Sequence, residues 1–456
     1  MHIHLLGIGG TLMGSIALLA QAQGHRVTGS DSAVYEPMRS QLAAANINVQ
    51  SPYLKTSIPD TAELIVLGNA GLGRGNPAVE ALLSSGKPFE SGASFLGQYI
   101  LKDKWVIAAS GTHGKTTTAS LITWLLEHAG LNPSYLIGGV PLNFKTSARL
   151  TDSPFFVIEA DEYDTSYFDR QSKFLHYRPK TLVINNLEYD HADIFPDLKS
   201  IENQFHQLVR RVPEMGQIIS NGLDDNVAQL LNRGLWSEHR RYGVSDLLSD
   251  SSKFDLFMQS STGNVVVDGQ MIGTRSWTLT GEHNDANALA AIAAARHVGV
   301  PVHESLAALT EFQGVKRRME VLVDAEKYRL YDDFAHHPTA IKSTLAGLRS
   351  SVGSAPIYAI IEPASHTMRL GTHEQQLSDA CQPADRVYWL HERQLNFDLE
   401  GLVSGDGQRV FQDPQLLARA LSADLNDESS LAHIVIMSNG GIESLTSALA
   451  SQLTHA

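Results

Sequence analysis

The chain has 456 residues, of which 43% are hydrophobic, so it is long enough for two to four domains with ordinary buried cores. Lys and Arg number 35 and Asp and Glu 49, and the resulting net charge of −14 argues against a nucleic-acid-binding protein, which usually presents a basic surface. The single cysteine, Cys381, excludes an intrachain disulfide framework. Without an 18-residue apolar run or a signal-peptide pattern, we expect no membrane span and a reduced, cytoplasmic setting.

Short apolar runs, Gly-rich turns and segments of helical period alternate along the chain, which predicts an α/β fold with mostly parallel sheets. The motifs divide the chain into three regions, 1–104, 105–315 and 316–456. The first region opens with a predicted strand, His2–Leu6, a Gly-rich turn, Gly7–Gly14, and a helix that ends near Gln23. A second strand leads to Asp31, which completes a strand–turn–helix–strand unit of Rossmann type.

The turn Gly7–Gly14 permits close approach of a diphosphate, and Asp31 is placed to accept a hydrogen bond from a ribose hydroxyl. The glycines Gly7 and Gly9, with Gly10 and Thr11 at the start of the helix, are therefore candidate binding residues. Taken alone, this unit favours a nicotinamide or flavin enzyme. Together with the motif of the second region, it favours a nucleotide-linked substrate.

The second region carries the sharpest motif, a Gly-rich loop between a predicted strand, Trp105–Ala109, and a helix. Such a loop turns its backbone N–H groups toward phosphates, and the helix adds its positive N-terminal end. Lys115 would reach the β- and γ-phosphates of ATP, and the Thr116 hydroxyl would bind Mg²⁺. Ala109 replaces the first glycine of the strict pattern, so this is a variant P-loop. Its residues are Ser110, Gly111, Thr112, His113, Gly114, Lys115, Thr116 and Thr117.

Two further predicted strands, Phe155–Ile158 and Thr181–Ile184, end in polar segments that contain Glu159 and His191. A carboxylate at the carboxyl end of a strand beside a P-loop strand can hold Mg²⁺. Histidine is an unusual ligand for Mg²⁺, which prefers oxygen. From the residues alone, ordinary surface-loop positions stay open for both.

A helix start, Gly281–Asn287, offers amides that could read adenine or contact a phosphate, although Asn is also common where helices begin. At the start of the third region, an arginine near transferring phosphate would offset negative charge. The adjacent His336 and His337 would point to opposite faces of an extended segment, so we predict a structural or substrate-loop role for them. The third region has four predicted strands, Tyr328–Tyr331, Ile357–Ile361, Arg386–Leu390 and His433–Met437.

In this order, the motifs resemble the Mur ligase family of peptidoglycan synthesis over essentially the whole chain. The resemblance implies a Rossmann-like UDP-sugar-binding domain, a central P-loop ATPase domain and a C-terminal Rossmann-like domain, which we assign to 1–104, 105–315 and 316–456. It implies ATP-dependent ligation through an acyl phosphate with Mg²⁺. Functional positions of the family fall on Lys115, Glu159, His191, Asn284, Asn287, Arg318 and Asp333. The resemblance gives Mg²⁺ roles to Glu159 and His191, in addition to Thr116 of the P-loop.

Within the family, three segments resemble the members that join UDP-N-acetylmuramate to the recycled tripeptide L-alanyl-γ-D-glutamyl-meso-diaminopimelate. They are Glu159–Asp164, Asn186–Phe195 and Glu362–Gly371. Arg369 is our candidate for a carboxylate of the tripeptide, because an arginine–carboxylate pair has bidentate geometry. His206 stands where later members of the pathway carry a carbamylated lysine, so we predict no carbamate.

Three alternatives stay open from sequence: a sister ligase that adds L-alanine, a nicotinamide oxidoreductase, and a non-catalytic P-loop switch protein. We expect small-molecule substrates as partners, with neither nucleic acid nor membrane. The sequence makes no prediction of oligomeric state.

Overall fold

Three β-sheets organise the chain, and a computed structural model describes residues 1–192, 194–403 and 407–453. Asp193, within the segment Asn186–Phe195, and the last three residues of the third predicted region lie outside this description. The predicted α/β class is confirmed, because most strand pairs are parallel and helices alternate with strands. In the described part of the chain, no helix combines the length and apolar character that crossing a membrane requires.

The first sheet is wholly parallel and has the strand order β3-β2-β1-β4-β5. Since β1 pairs with both β2 and β4, the order reverses at the end of β1, where open α/β sheets bind ligands. The strands are β1 (His2–Leu6), β2 (Arg26–Ser30), β3 (Asn48–Gln50), β4 (Leu64–Leu67) and β5 (Phe89–Ser91). The helices are α1 (Thr11–Ala22), α2 (Met38–Ala44), α3 (Pro77–Ser85) and α4 (Gly92–Phe95), followed by a π-helical turn, Leu96–Ile100.

The second sheet has ten strands in the order β15-β14-β13-β12-β11-β10-β6-β9-β7-β8. Its centre is parallel, and antiparallel pairs extend both edges. The strands are β6 (Trp105–Ser110), β7 (Ser134–Leu136), β8 (Ala148–Arg149), β9 (Phe155–Glu159), β10 (Thr181–Ile184), β11 (Gln217–Asn221), β12 (Glu238–Ser245), β13 (Leu256–Gln259), β14 (Asn264–Val267) and β15 (Gln270–Thr274).

Helices α5 (Lys115–His128), α6 (Leu198–Val209), α7 (Asp225–Asn232), α8 (Glu282–His297) and α9 (Val302–Leu309) belong to this region, with 3₁₀ turns at Lys173–His176 and Leu248–Lys253. Helix α5 packs on β6 and β9. Ile122, Leu125 and Leu126 of this helix are buried. Because β9 and β10 flank β6, the segments that follow these three strands leave the sheet at one edge.

The third sheet has the order β16-β17-β21-β18-β19-β20, and only its edge strand β16 is antiparallel. Its strands are β16 (Glu320–Asp324), β17 (Tyr328–Asp333), β18 (Ile357–Ile361), β19 (Arg386–Leu390), β20 (Gln408–Phe411) and β21 (Ala432–Met437). Its helices are α10 (Pro338–Val352), α11 (His366–Arg369), α12 (Glu374–Ala380), α13 (Leu399–Leu402), α14 (Pro414–Asn426) and α15 (Glu443–Leu453).

Both faces of the third sheet are buried, as the continuous apolar runs of its strands predict. Along β18, Ile357, Ala359 and Ile361 lie in one hydrophobic core, and Tyr358 and Ile360 lie in another. The alternation follows from the two-residue period of a strand.

The chain forms two compact units. The first comprises Met1–Tyr189, Asp197–Trp277 and Ala286–Gln313 and contains the first two sheets. The second comprises Asp190–Pro196, Thr278–Asp285 and Gly314–Ala456 and contains the third sheet.

Candidate active site

The P-loop connects β6 to α5 through two glycines with positive φ, +128° at Gly111 and +81° at Gly114. A Cβ on Gly111 would lie 3.1 Å from the Asn185 backbone nitrogen, and a Cβ on Gly114 would lie 2.4 Å from Asn287 Oδ1. Both positions therefore require glycine. Helix α5 begins at Lys115 directly after Gly114, so the loop amides and the helix N-terminus form an anion-binding arrangement.

The segment after β10 holds the P-loop in place. The Thr112 hydroxyl accepts a hydrogen bond from Glu188 N at 2.8 Å, and His113 N donates to Asn186 Oδ1 at 2.7 Å. His113 Nε2 lies 3.5 Å from a Glu188 carboxylate oxygen. These contacts preorganise the loop amides, which is what binding of a phosphate requires.

Lys115 is 8% exposed and lies over its own loop. Its Nζ donates to Gly111 O at 2.8 Å and to Glu162 Oε2 at 3.1 Å, and it lies 4.0 Å from Asp161. Burial opposes the charge, but Glu162 and the neighbouring carboxylates outweigh it and raise the pKa of Lys115 above its ordinary value. The side chain is therefore an ammonium, the form that contacts phosphate.

Glu159 ends β9, and the structure brings it to Thr116. The Thr116 hydroxyl donates to Glu159 Oε1 at 2.7 Å, and Gly138 N donates to Oε2 at 2.7 Å. Burial and the charge of Asp161 raise the pKa of Glu159. A cation between these groups would stabilise the ionised Glu159 carboxylate, which burial and Asp161 disfavour. A hydroxyl and a carboxylate are oxygen ligands that Mg²⁺ accepts.

Asn287, in α8, reaches the same loop from the other side. Its buried Oδ1 accepts from the Thr118 hydroxyl at 3.1 Å and lies 3.4 Å from Asn185 Nδ2. Thr117, between these groups and Lys115, is buried in the first turn of α5. Asn287 therefore fixes the loop and its helix, which explains an asparagine in an otherwise Ala-rich helix.

Sequence reasoning missed three charged residues of this cluster, Asp161, Glu162 and Lys173. Glu162 is 2% exposed, and Lys173 is 7% exposed. Lys173 Nζ lies 3.8 Å from Asp161 Oδ2 and 3.8 Å from the centroid of the Tyr163 ring. Burial lowers the pKa of Lys173, and Asp161 opposes that shift. Asp161 and Glu162 lie within the segment Glu159–Asp164 that carries the family resemblance, whereas Lys173 belongs to no motif of the sequence.

In the first sheet, the predicted turn is present, and Asp31 already has protein partners. Asp31 Oδ2 accepts from Gly9 N at 2.7 Å, and Oδ1 accepts from Ser32 N at 2.7 Å. Gly10 precedes α1 without a side-chain cap, so the first amides of α1, from Thr11 onward, are available to an anion. Gly7 has a φ of +84°. The carboxylate thus shapes the turn, and the ribose contact stays a prediction.

The second compact unit contains His191, Asn284, Arg318 and Asp333. Asp333 ends β17, and its carboxylate accepts from Met319 N and Ala335 N, both at 2.8 Å. Burial raises its pKa, and Arg318 opposes that shift. The Arg318 guanidinium lies 5.0 Å from the centroid of the Phe334 ring. Asp333 therefore anchors the segment that carries Arg318.

Other predicted residues of this unit occupy defined local positions. His191 has a φ of +56°, and Asn284 Nδ2 donates to Thr280 O at 2.8 Å. His337 accepts from Thr339 N at 3.3 Å at the start of α10, and the structural or substrate-loop role of the two histidines stays a prediction. Arg369 ends α11, and its buried Nε donates no hydrogen bond to any described residue. An unused donor on this guanidinium suits a ligand oxygen.

Comparison with known proteins extends over the whole chain. Residues 2–104 match the Mur ligase family catalytic domain, 109–295 the Mur ligase middle domain, and 317–440 the Mur ligase glutamate ligase domain. The UDP-N-acetylmuramate–L-alanyl-γ-D-glutamyl-meso-2,6-diaminoheptandioate ligase of Escherichia coli K12 is 45% identical over 452 residues, 97% of this chain and 96% of the relative.

A crystal structure of a murein peptide ligase from Psychrobacter arcticus 273-4 is 38% identical and aligns with a TM-score of 0.75 over 100% of this chain and 99% of its own. The UDP-N-acetylmuramate–L-alanine ligase of Arthrobacter sp. FB24 is 32% identical over 79% of this chain and 75% of its own length. With three consecutive domain matches and a relative that is 45% identical over 96% of its own length, the chain belongs to the Mur ligase family.

Proposed function

We propose that this protein is an ATP-dependent ligase that joins UDP-N-acetylmuramate to the tripeptide L-alanyl-γ-D-glutamyl-meso-diaminopimelate and releases ADP and phosphate. The observation that carries the proposal is 45% identity over 97% of the chain to an Escherichia coli ligase named for this pair of substrates. The sister activity has weaker support, since an L-alanine ligase from Arthrobacter is only 32% identical in sequence, over 79% of this chain. The product would return a recycled peptide to cell-wall synthesis.

The chemistry explains why a P-loop domain is needed. A carboxylate is a poor electrophile, so its oxygen first attacks the γ-phosphorus of ATP, forming an acyl phosphate and ADP. The α-amine of the tripeptide then attacks the acyl carbon, forms the amide, loses a proton and expels phosphate. Lys115 is the ammonium held at the P-loop, and we assign it to charge that develops on the transferring phosphoryl group. We assign Arg318 to the same charge.

The nucleotide contacts follow from the geometry of the loop. The amides of Gly111 and Gly114 would face the phosphates, those of Thr112 and His113 would do so on giving up their hydrogen bonds to Asn186, and α5 would add its N-terminal dipole. Asn284 and Asn287 are further candidates, with Asp333 as the anchor of the Arg318 segment. Two things support these roles: the observed positions of the residues and the family resemblance.

Mg²⁺ suits the pair Thr116 and Glu159, which are 2.7 Å apart and offer hard oxygen donors. The bound ion would neutralise charge on the β- and γ-phosphates. The role of His191 rests on the family resemblance, because imidazole is an unusual ligand for Mg²⁺. Substituting Glu159 with Gln is expected to raise the Mg²⁺ concentration needed for half-maximal turnover.

We further propose three functional domains, with UDP-N-acetylmuramate bound by residues 1–104, ATP by 105–315 and the peptide by 316–456. For the first, the diphosphate would lie against the uncapped start of α1 and the turn shaped by Gly7, Gly9 and Asp31. For the third, Arg369 offers an unused donor to a carboxylate.

The deciding experiment measures ADP release by the full-length protein with ATP, Mg²⁺, UDP-N-acetylmuramate and either the tripeptide or L-alanine. We expect ADP release to require both sugar and acceptor, with a much higher kcat/KM for the tripeptide. Reactions that omit the acceptor, or that contain the tripeptide with an acetylated α-amine, are matched controls. Equal or better efficiency with L-alanine would assign the sister activity instead, and ADP release without an acceptor would contradict a ligase.

A further inference from the structure

Three carboxylates crowd the site where a negatively charged substrate must react. Glu159 ends β9, Asp161 and Glu162 follow it, and the lysines that lie within 4.0 Å of the Asp161 or Glu162 carboxylates are Lys115 and Lys173. The formal sum of these five side chains is one negative charge. The proposed reaction brings the sugar carboxylate toward the γ-phosphate beside Lys115, where the two lysines and the Mg²⁺ proposed at Glu159 must together offset the charges of the cluster, of ATP and of the incoming carboxylate.

Lys173 is the cation that the proposed phosphoryl-transfer chemistry does not use. It is 7% exposed, yet its nearest recorded carboxylate oxygen, on Asp161, is 3.8 Å away, beyond hydrogen-bond distance. Among the described residues, no hydrogen-bond acceptor of its Nζ is found, and the ring of Tyr163 covers one side. Since a buried ammonium costs free energy unless it is paired, the arrangement suits a lysine that completes its coordination with an incoming anion.

The position of Lys173 in the chain connects the two binding regions of the first unit. It follows a loop that bonds to the first sheet through Asp164, which accepts from Asn69 at 2.7 Å, and Asp169, which accepts from Ser91 at 2.7 Å. Ser91 ends β5, and Asn69 lies two residues beyond the end of β4. The loop therefore runs from the carboxyl edge of the sheet proposed to bind the sugar to the carboxylates beside the P-loop.

We propose that Lys173 is a specificity-determining residue whose charge admits the carboxylate of the sugar substrate to the carboxylate cluster beside the P-loop. The inference rests on the proposed function, because it takes UDP-N-acetylmuramate as substrate. It predicts that Lys173 contributes to recognition of the lactoyl carboxylate and contributes nothing to recognition of the UDP-sugar portion.

The test compares two ligands that differ in this group, UDP-N-acetylmuramate and UDP-N-acetylglucosamine, which lacks the lactoyl carboxylate. Calorimetry on the full-length protein, with Mg²⁺ and without nucleotide, gives the ratio of their dissociation constants. Lys173→Met removes the charge and keeps a flexible apolar chain against Tyr163. Lys180→Met is the matched control, because Lys180 also lies over an aromatic ring, 5.0 Å from the centroid of Trp105, and has no recorded carboxylate partner among the described residues.

We expect the wild-type protein to prefer UDP-N-acetylmuramate, Lys173→Met to lower that preference about tenfold or more, and Lys180→Met to leave it unchanged. Asp161→Asn removes a repelling charge and is expected to raise the preference. A fall in the preference in Lys173→Met with a rise in Asp161→Asn indicates an effect of charge, because local damage to the site would lower the preference in both variants. If Lys173→Met fails to fold, Asp161→Asn still tests the proposal.

An unchanged ratio in Lys173→Met, or a fall in Asp161→Asn, would overturn the role of Lys173 and leave the ligase assignment standing. A wild-type protein that binds neither sugar nucleotide, or binds both equally, would overturn the proposed substrate and this inference with it.

Discussion

Replacing Lys115 with Ala is expected to cost stability as well as activity, because the side chain is one half of a buried ion pair. Lys115 is 8% exposed, and its partner Glu162 is 2% exposed. Their Nζ and Oε2 atoms are 3.1 Å apart. The substitution leaves the Glu162 carboxylate without its hydrogen-bonded cation at a position that water scarcely reaches.

The magnitude follows from this burial. Breaking a buried pair by removing one partner typically costs about 3–5 kcal/mol. That is a large part of the roughly 5–15 kcal/mol by which a folded domain is stable. Independently, loss of a group that stabilises transition-state charge lowers turnover by about a hundredfold or more. Changing Glu162 to Gln in the same chain removes the stranded charge, so the double variant should regain about half or more of the lost stability but none of the activity.

Two measurements separate these effects. Urea unfolding, followed through the fluorescence of the five tryptophans, gives the free energy of unfolding of the wild type, both single variants and the double variant. ADP release under saturating substrates gives turnover for the same set. The matched control is Lys199→Ala, because Lys199 pairs with Glu202 at 2.8 Å but its side chain is 64% exposed, so little stability should be lost.

The reasoning fails if Lys115→Ala unfolds at the wild-type urea concentration, or if adding Glu162→Gln destabilises it further. Near-normal ADP release by folded Lys115→Ala would refute the P-loop assignment itself.

Three further predictions concern other parts of the chain. Burial lowers the pKa of His4 from 6.5 to about 4, so the unfolded chain takes up this proton first as the pH falls, and stability should decrease between about pH 6.5 and pH 4 by up to about 3 kcal/mol. Urea midpoints at pH 7.5 and 5.0 check this, and a His4→Gln variant with the same pH dependence would contradict it. Gly9→Ala should weaken UDP-N-acetylmuramate binding by about tenfold or more by calorimetry, since its Cβ would lie 2.9 Å from Asp31 Oδ2, and ATP affinity should not change. Arg369→Ala should lower kcat/KM for the tripeptide and spare that for L-alanine, and an equal loss for both acceptors would remove its carboxylate role.

The local features of the site could be predicted from sequence because their contacts are close in the chain. A strand, a Gly-rich turn and a helix follow one another within about 25 residues in each nucleotide-type motif, and the structure has β1, α1, β6 and α5 where the pattern predicts them. Glycines with positive φ, such as Gly111 and Gly114, are constrained by the turn itself. Glu159 was placed at a strand end by the length of its apolar run.

The strands β13–β15, which pair with one another in antiparallel fashion, were not among the predicted strands. A strand pattern records which face of a strand is buried, but it does not record which strand lies alongside it. The ten-strand order of the second sheet is therefore a tertiary outcome, set by packing along its whole length.

Only the tertiary structure decided which charged groups of the site meet. Glu162 reaches Lys115 across 47 residues, and Asn287 reaches Thr118 across 169. Neither contact leaves a periodic signal, since it depends on β9 and β10 flanking β6 and on where α8 returns to the loop. The same holds for Lys173, because its proposed role depends on Asp161, 12 residues earlier, whose carboxylate the fold brings to 3.8 Å from the Lys173 Nζ. Sequence determines turns and strand ends through local sterics and hydrophobic period, whereas the balance of charge in a buried site is a sum over distances that exist only once the chain has folded.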